Sequence, residues 1–179
     1  MTTSTNNPKV DEIRRSVQSS YNELNQLIAE RLATLDPAKL YQRPAGNEWT
    51  IIESLAHIVE FMPYWADEIE KLVAAPGHNF GRTMQDTGRL QAINEHGSDD
   101  LEQIRAALPG SYAHLKQVLS ELKDSDLELT GHHSRYGDQT LAWFIEDFVT
   151  HHLTSHLEQL RDARFISYPG WLVRDPQCL

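Results

Sequence analysis

The sequence has little cysteine, no long hydrophobic run and no surplus of basic residues. Its 179 residues include a single cysteine, Cys178, which has no partner for a disulfide within the chain. A lone cysteine suits a reducing compartment, and we interpret Cys178 as an incidental exposed thiol. No apolar run approaches the roughly 20 residues that span a bilayer. The sequence therefore predicts a protein without a transmembrane helix.

Acidic residues outnumber basic ones, 26 to 16, and give a formal net charge of −10. Binding to the phosphates of nucleic acid requires a patch of Lys and Arg, and no such patch is visible. The first residues also lack the apolar core and cleavage site of a signal peptide. We therefore expect a cytoplasmic protein that binds neither nucleic acid nor a membrane.

The length and composition predict one globular domain. Hydrophobic residues make up 40% of the chain and charged residues 23%, which is typical of a soluble domain of 179 residues. We expect a disordered N-terminal tail over residues 1–9 and a helical domain over 10–165. A C-terminal tail over 166–179 should pack on that domain through Trp171 and Leu172.

Apolar residues recur at steps of three and four over four long segments, without β-type alternation or an internal repeat. This pattern predicts an all-α fold. The predicted long helices cover 10–35, 50–74, 99–123 and a segment from Asp138 or Thr140 to Phe165, with short ones at 36–40 and 89–95. Thr50 with Glu53, and Asp99 with Glu102, have the spacing of capping boxes at helix starts. Pro63 should kink the second long helix.

The connection from Ala75 to Ser98 is long for a compact domain, which favours a functional role or structure of its own. Within it, Arg82 is a candidate for holding an anionic group of a substrate, and the alternative is a solvated loop residue. The second connection, over residues 124–138, is predicted to be a loop because it contains two glycines and no periodic pattern.

Two histidines, His152 and His156, lie one turn apart on the last predicted helix. The apolar positions Leu141, Ile145 and Phe148 precede them at helical steps, so both imidazoles continue the buried face. Burying a polar group without a partner costs roughly 2 kcal/mol or more, and each imidazole has two ring nitrogens to satisfy. A shared metal ion would satisfy both residues, and paired structural histidines are the alternative.

A catalytic zinc-type site usually has three protein ligands, so a third is expected from another helix. His57 is the candidate, because Ser54, Phe61 and Trp65 surround it on its helix. The remaining histidines fall in loops or lack such neighbours. Glu53 and Glu60 share part of the face of His57 and are alternative carboxylate ligands or bases.

Three passages resemble the DinB/YfiT-like family of metalloenzymes, over about residues 10–164. They are Asn47-Glu-Trp-Thr50 leading to Leu55-Ala-His57, then Phe80-Gly-Arg82, and His152-Leu-Thr-Ser-His156-Leu-Glu-Gln159-Leu160. The resemblance implies a four-helix bundle of DinB/YfiT type with one divalent ion held by His57, His152 and His156. It also implies a homodimer and, because the family includes thiol-dependent transferases and isomerases, a low-molecular-weight thiol as cofactor. Pro63 and the extension after Phe165 depart from the family pattern.

The favoured hypothesis is a metal-dependent enzyme for a small-molecule substrate, either a hydrolase or a small-thiol-dependent transferase or isomerase. The ion would lower the pKa of a bound water to about 7, or bind a thiol as thiolate. Zinc, nickel and iron all suit imidazole ligands. Glu60 and Asp147 are candidates for a general base. The competing hypothesis is a non-catalytic metal-binding bundle that binds a partner or dimerises.

Overall fold

The computed structural model describes residues 7–44, 48–83 and 85–161. Within these ranges the helices are α1 (Pro8–Glu30), α2 (Pro37–Leu40), α3 (Ile51–Ala74), α4 (Thr87–His96), α5 (Leu101–Glu121), α6 (Leu141–Ile145) and α7 (His152–Arg161). A π-helical turn, Glu146–His151, connects α6 to α7. The predictions for Asn47, for the C-terminal tail and for Cys178 lie outside the described residues.

Helix α1 begins at Pro8, inside the segment that was predicted to be a disordered tail. Proline at the first helical position loses no backbone bond, because that amide has no partner within the helix. The helix ends at Glu30, and residues 32–34 form a separate 3₁₀ turn. The predicted continuous helix to Leu35 was therefore wrong over its last turn.

Helix α3 is held at its start by the predicted capping box. The hydroxyl of Thr50 accepts a hydrogen bond from the backbone N–H of Glu53 at 3.1 Å, and the Glu53 carboxylate accepts one from the Thr50 N–H at 2.7 Å. These bonds satisfy amides that have no partner within the helix. The helix continues through Pro63 to Ala74.

Replacing Thr50 with alanine should lower the free energy of unfolding by about 1 kcal/mol, because a helix N-cap contributes that much on average. Urea unfolding followed by circular dichroism measures this change. Ser19→Ala, at an exposed position in α1, is the control and should change stability by less than about 0.5 kcal/mol. Equal stability of wild type and Thr50→Ala would contradict the assigned cap.

The long helices share one hydrophobic core. Helix α3 contacts α4, α5 and α7, while α1 contacts α5 and α7. Helix α3 supplies much of this core, including Leu55, Ile58, Phe61 and Ile69, each fully buried. Within residues 7–44, 48–83 and 85–161, every helix is too short or too polar to span a lipid bilayer.

The segment predicted to be a loop contains a β-hairpin, so the all-α expectation was wrong there. Strand β1 (Thr130–His133) pairs antiparallel with β2 (Gly137–Thr140). The preceding connection lies beside β1, since the Phe80 N–H donates to the His132 carbonyl at 2.8 Å. Few apolar residues occur in either strand, so backbone bonds form the ladder and no alternation marks it in the sequence.

Two helix starts differ in detail from the predicted ones. The N-cap of α5 is Asp100, whose box partner is Gln103, one residue beyond the predicted Asp99 and Glu102. The short helix predicted at 89–95 is present as α4 and is capped by Asp86. It carries two buried residues, Arg89 and Ile93, one turn apart.

Candidate metal centre

The three histidines predicted as ligands lie together between α3 and α7. Nε2 of His152 is 3.0 Å from Nε2 of His57 and 3.1 Å from Nε2 of His156. His152 is the first residue of α7 and His156 lies one turn further on, while His57 is in the second turn of α3. All three ligand atoms lie within 4.8 Å of one another.

The donor atoms fit a divalent ion of the zinc type. Imidazole nitrogens that surround such an ion at about 2.0 to 2.1 Å are themselves about 3 to 3.5 Å apart in a tetrahedral arrangement. Nδ1 of His156 lies 3.1 Å from Oε1 of Gln159, an atom that only accepts, so Nδ1 carries the proton. Nε2 of His156 then presents its lone pair to the other two histidines.

Aromatic rings pack against the histidine cluster. The ring centroid of Trp49 is 5.0 Å from that of His57 and 6.5 Å from that of His156. Phe61, one turn after His57, lies 4.8 Å from the ring of His152. Trp49 and Phe61 therefore pack directly against the histidine cluster.

Burial keeps the three imidazoles neutral. It is the largest cause of the lowered pKa of His57 and of His152, to which the charges of neighbouring histidines and of Arg89 add. Burial likewise lowers the pKa of His156 to about 4, although its bond to Gln159 acts in the opposite direction. Neutral imidazole is the form that binds a metal ion.

The metal-free protein should lose stability as the pH falls from about 6.5 towards 4. In the unfolded chain a histidine takes up a proton near pH 6.5, whereas in the fold His156 does so only near pH 4. Since the unfolded state then binds more protons, stability falls by up to about 1.4 kcal/mol per pH unit for each such histidine. Urea unfolding at several pH values in the presence of a chelator measures the slope.

His156→Gln is the control for this pH dependence, because glutamine does not titrate. Its slope between pH 6.5 and 4 should be shallower than that of the wild type by the contribution of one proton. Identical slopes for the two proteins would contradict the assigned burial of His156.

The π-helical turn before His152 changes the predicted core pattern. Leu141 and Ile145 are fully buried as predicted, but Val149 rather than Phe148 continues the buried face. A π-helical turn contains one residue more than an α-helical turn, which shifts the positions that follow. Phe148 instead packs on Trp65, with ring centroids 4.6 Å apart.

Glu60 and Arg82 form an ion pair beside His57. Nη1 and Nη2 of Arg82 each lie 2.6 Å from a different oxygen of the Glu60 carboxylate. The guanidinium also stacks on Tyr64, 3.8 Å from the ring centroid, and lies 3.5 Å from Asp86. The side chain of Arg82 is 10% exposed, so the alternative of a solvated loop residue does not hold.

The other predicted carboxylates occupy different places. Glu53 is engaged in the cap of α3 and pairs with Arg43, so it does not point into the histidine cluster as a ligand. Asp147 lies in the π-helical turn. A second group of possible ligands, Asp67, Glu70 and His114, is on the surface of α3 and α5.

Arg89 is a buried residue beside Trp49 that no sequence pattern singled out. It is 8% exposed, and its guanidinium lies over the Trp49 ring at 4.8 Å from the centroid. Burial lowers the pKa of Arg89, and the charge of Arg82 adds to this effect. The spacing to Ile93 was the available signal, because Arg89 lies one turn before it on the same face of α4.

The fold and the site define a helical protein with a candidate three-histidine metal centre. The profile of the DinB superfamily matches residues 12–160, and the chain belongs to this superfamily, as its resemblance predicted. An uncharacterized protein of Bacillus subtilis (strain 168), YuaE, is 26% identical over 160 residues, which cover 82% of this chain and 96% of YuaE.

Two solved structures of a mycothiol-dependent maleylpyruvate isomerase have a similar fold. One matches with a TM-score of 0.57 at 11% identity, over 84% of this chain and 57% of the isomerase chain. A single-site mutant of that enzyme matches with a TM-score of 0.58 at 10% identity, over 94% of this chain and 65% of the mutant chain. The chain thus spans less than two thirds of these structures.

Proposed function

We propose that this protein is a metal-dependent enzyme whose divalent ion is held by His57, His152 and His156. The observation that carries the proposal is the convergence of three Nε2 atoms, with separations of 3.0 and 3.1 Å to the central one. Burial supports it, because hydrogen bonds among the three Nε2 atoms would leave at least one lone pair without a donor, whereas one shared ion satisfies all three. Zinc, nickel and iron remain the candidate ions.

An enzyme is favoured over a structural metal site by the number of ligands. A structural zinc site is closed by four protein ligands, whereas a catalytic site keeps a position open. The described ranges place three side chains in this cluster. When bound, the ion would supply a Lewis acid that activates a water molecule or a thiol at neutral pH.

We infer that the reaction is a small-thiol-dependent transfer or isomerisation, with hydrolysis as the second candidate. The fold shared with a mycothiol-dependent isomerase supports a low-molecular-weight thiol as cofactor. The substrate would be a small molecule. Arg82 stays a candidate for holding an anionic group of it, and such a group would have to compete with the Glu60 carboxylate that pairs with Arg82 in this structure.

We also propose that the helices form a four-helix bundle and that the protein is a homodimer. The contacts of α3 with α5 and α7, and of α1 with the same two helices, support a four-helix bundle of DinB/YfiT type. The homodimer implied by the family resemblance stays a prediction, which light scattering of the purified protein would test.

Elemental analysis and chelation test the proposal together. The protein purified without added metal should contain about one divalent ion per chain, and removing it should abolish thiol-dependent turnover while circular dichroism retains the helical signal. An ion-free protein as purified that also takes up no zinc would overturn the metal site. Collapse of the fold on chelation would favour the non-catalytic alternative, in which the ion holds the helices for partner binding or dimerisation.

A further inference from the structure

The second ring nitrogen of His57, Nδ1, lacks a hydrogen bond within the described residues. This nitrogen is buried. The carboxylate oxygen facing it is Oε2 of Glu60, one turn along α3, at 3.5 Å. This distance is longer than that of a typical hydrogen bond, so the two groups face each other without forming one.

The Glu60 carboxylate has little freedom to turn away. Arg82 contacts both of its oxygens at 2.6 Å, and this bidentate ion pair fixes the plane of the carboxylate. Oε2 keeps acceptor capacity beside the Arg82 bond, because a carboxylate oxygen has two lone pairs. The Glu60 side chain is 17% exposed, which limits competition from water.

The backbone around Arg82 is itself held. The N–H of Gly81 donates to the buried carboxylate of Glu68 at 2.7 Å, and Phe80 is bonded to β1 through its own N–H. Gly81 has a φ of +85°, a left-handed conformation that favours glycine. The backbone contacts of Phe80 and Gly81 therefore constrain the loop that places the guanidinium of Arg82 beside Glu60.

We propose that Glu60 orients His57 for metal binding and that Arg82 positions Glu60, so the two residues form a positioning pair behind the ligand. This inference rests on the proposed metal site. An imidazole that binds a metal through Nε2 carries its proton on Nδ1 and needs an acceptor for it. Glu60 is the acceptor that the fold offers.

Zinc affinity of the full chain, measured by competition with a chromophoric chelator, tests the role of Glu60. Glu60→Gln keeps the size of the side chain and removes its charge, and it should weaken zinc binding by about 10- to 100-fold. Glu102→Gln is the matched control, because Glu102 pairs with Arg105 on the exposed side of α5. This control should leave zinc affinity unchanged.

A double-mutant cycle tests whether Arg82 acts through Glu60. Arg82→Met should also weaken zinc binding, and the double variant Glu60→Gln/Arg82→Met should bind about as well as Glu60→Gln alone. Additive losses would show that Arg82 acts independently and would overturn its positioning role.

Nitrogen NMR of the imidazoles in the zinc-loaded protein gives a readout that a merely structural role would not change. In the wild type, Nδ1 of His57 should carry a proton protected from exchange, and Glu60→Gln should shift or broaden that resonance. Unchanged affinity and an unchanged resonance in Glu60→Gln would overturn this inference alone. A wild type that binds no zinc would overturn it together with the proposed function.

The wild-type spectrum tests the role of Glu60 as acceptor even if a variant fails to fold. An unprotonated Nδ1 in zinc-loaded wild type, or a proton there that exchanges freely with water, would contradict an acceptor role for Glu60. A protected proton would support it.

Discussion

Replacing His152 with alanine is expected to abolish stoichiometric zinc binding. Its Nε2 is the central atom of the cluster, at 3.0 Å from that of His57 and 3.1 Å from that of His156. The loss should exceed the roughly 10- to 100-fold that is typical of a residue behind a ligand, because a ligand itself is removed. Competition with a chelator and elemental analysis of the purified variant measure the effect.

His151→Ala is the matched control for this variant. His151 is the neighbouring residue in the chain, and its side chain is exposed rather than turned towards α3. Its replacement should leave zinc affinity within about twofold of wild type, since a surface substitution rarely changes a distant site. Retention of a bound ion by His152→Ala, or its loss from His151→Ala, would contradict the proposed ligands.

Replacing Phe80 with alanine is expected to lower the free energy of unfolding by about 3 to 5 kcal/mol, the usual cost of removing a buried phenylalanine. Phe80 is 2% exposed, and its ring lies 4.2 Å from that of Phe144 and 5.6 Å from that of Trp65. The loss should also weaken zinc binding, because Phe80 anchors the loop that carries Arg82. Urea unfolding and zinc titration of the same preparation measure both effects.

Leu90→Ala is the control for Phe80. Leu90 is 43% exposed, so removing it should cost less than about 1 kcal/mol and leave zinc affinity unchanged. A Phe80→Ala protein as stable as wild type would show that this loop is not part of the core. Reduced stability with unchanged zinc affinity would show that this loop does not affect metal binding by the histidines.

The sequence predicted those parts of the fold and site that depend on local patterns. The step of four between His152 and His156, after buried Leu141 and Ile145, indicated an inward pair, and the geometry brings both residues together with His57. The capping box of α3 was also readable, since it needs only two residues three positions apart.

The remaining features depend on contacts between distant segments. The β-hairpin is held by backbone bonds to residues before α4, and such bonds have no side-chain signature. Arg89 is buried because Trp49, forty residues earlier, covers its guanidinium. The ion pair of Arg82 with Glu60 likewise spans 22 residues. No period along the chain reports such long-range contacts.

The π-helical turn Glu146–His151 makes the chain length at this point adjustable. Such a turn holds one residue more than an α-helical turn, so deleting one residue there can restore an α-helix without rotating α7. A deletion within α6 has no surplus residue to absorb it and would turn the helix by about 100° against its neighbours. A variant that is one residue shorter in this turn should therefore present the same pair of histidines to α3.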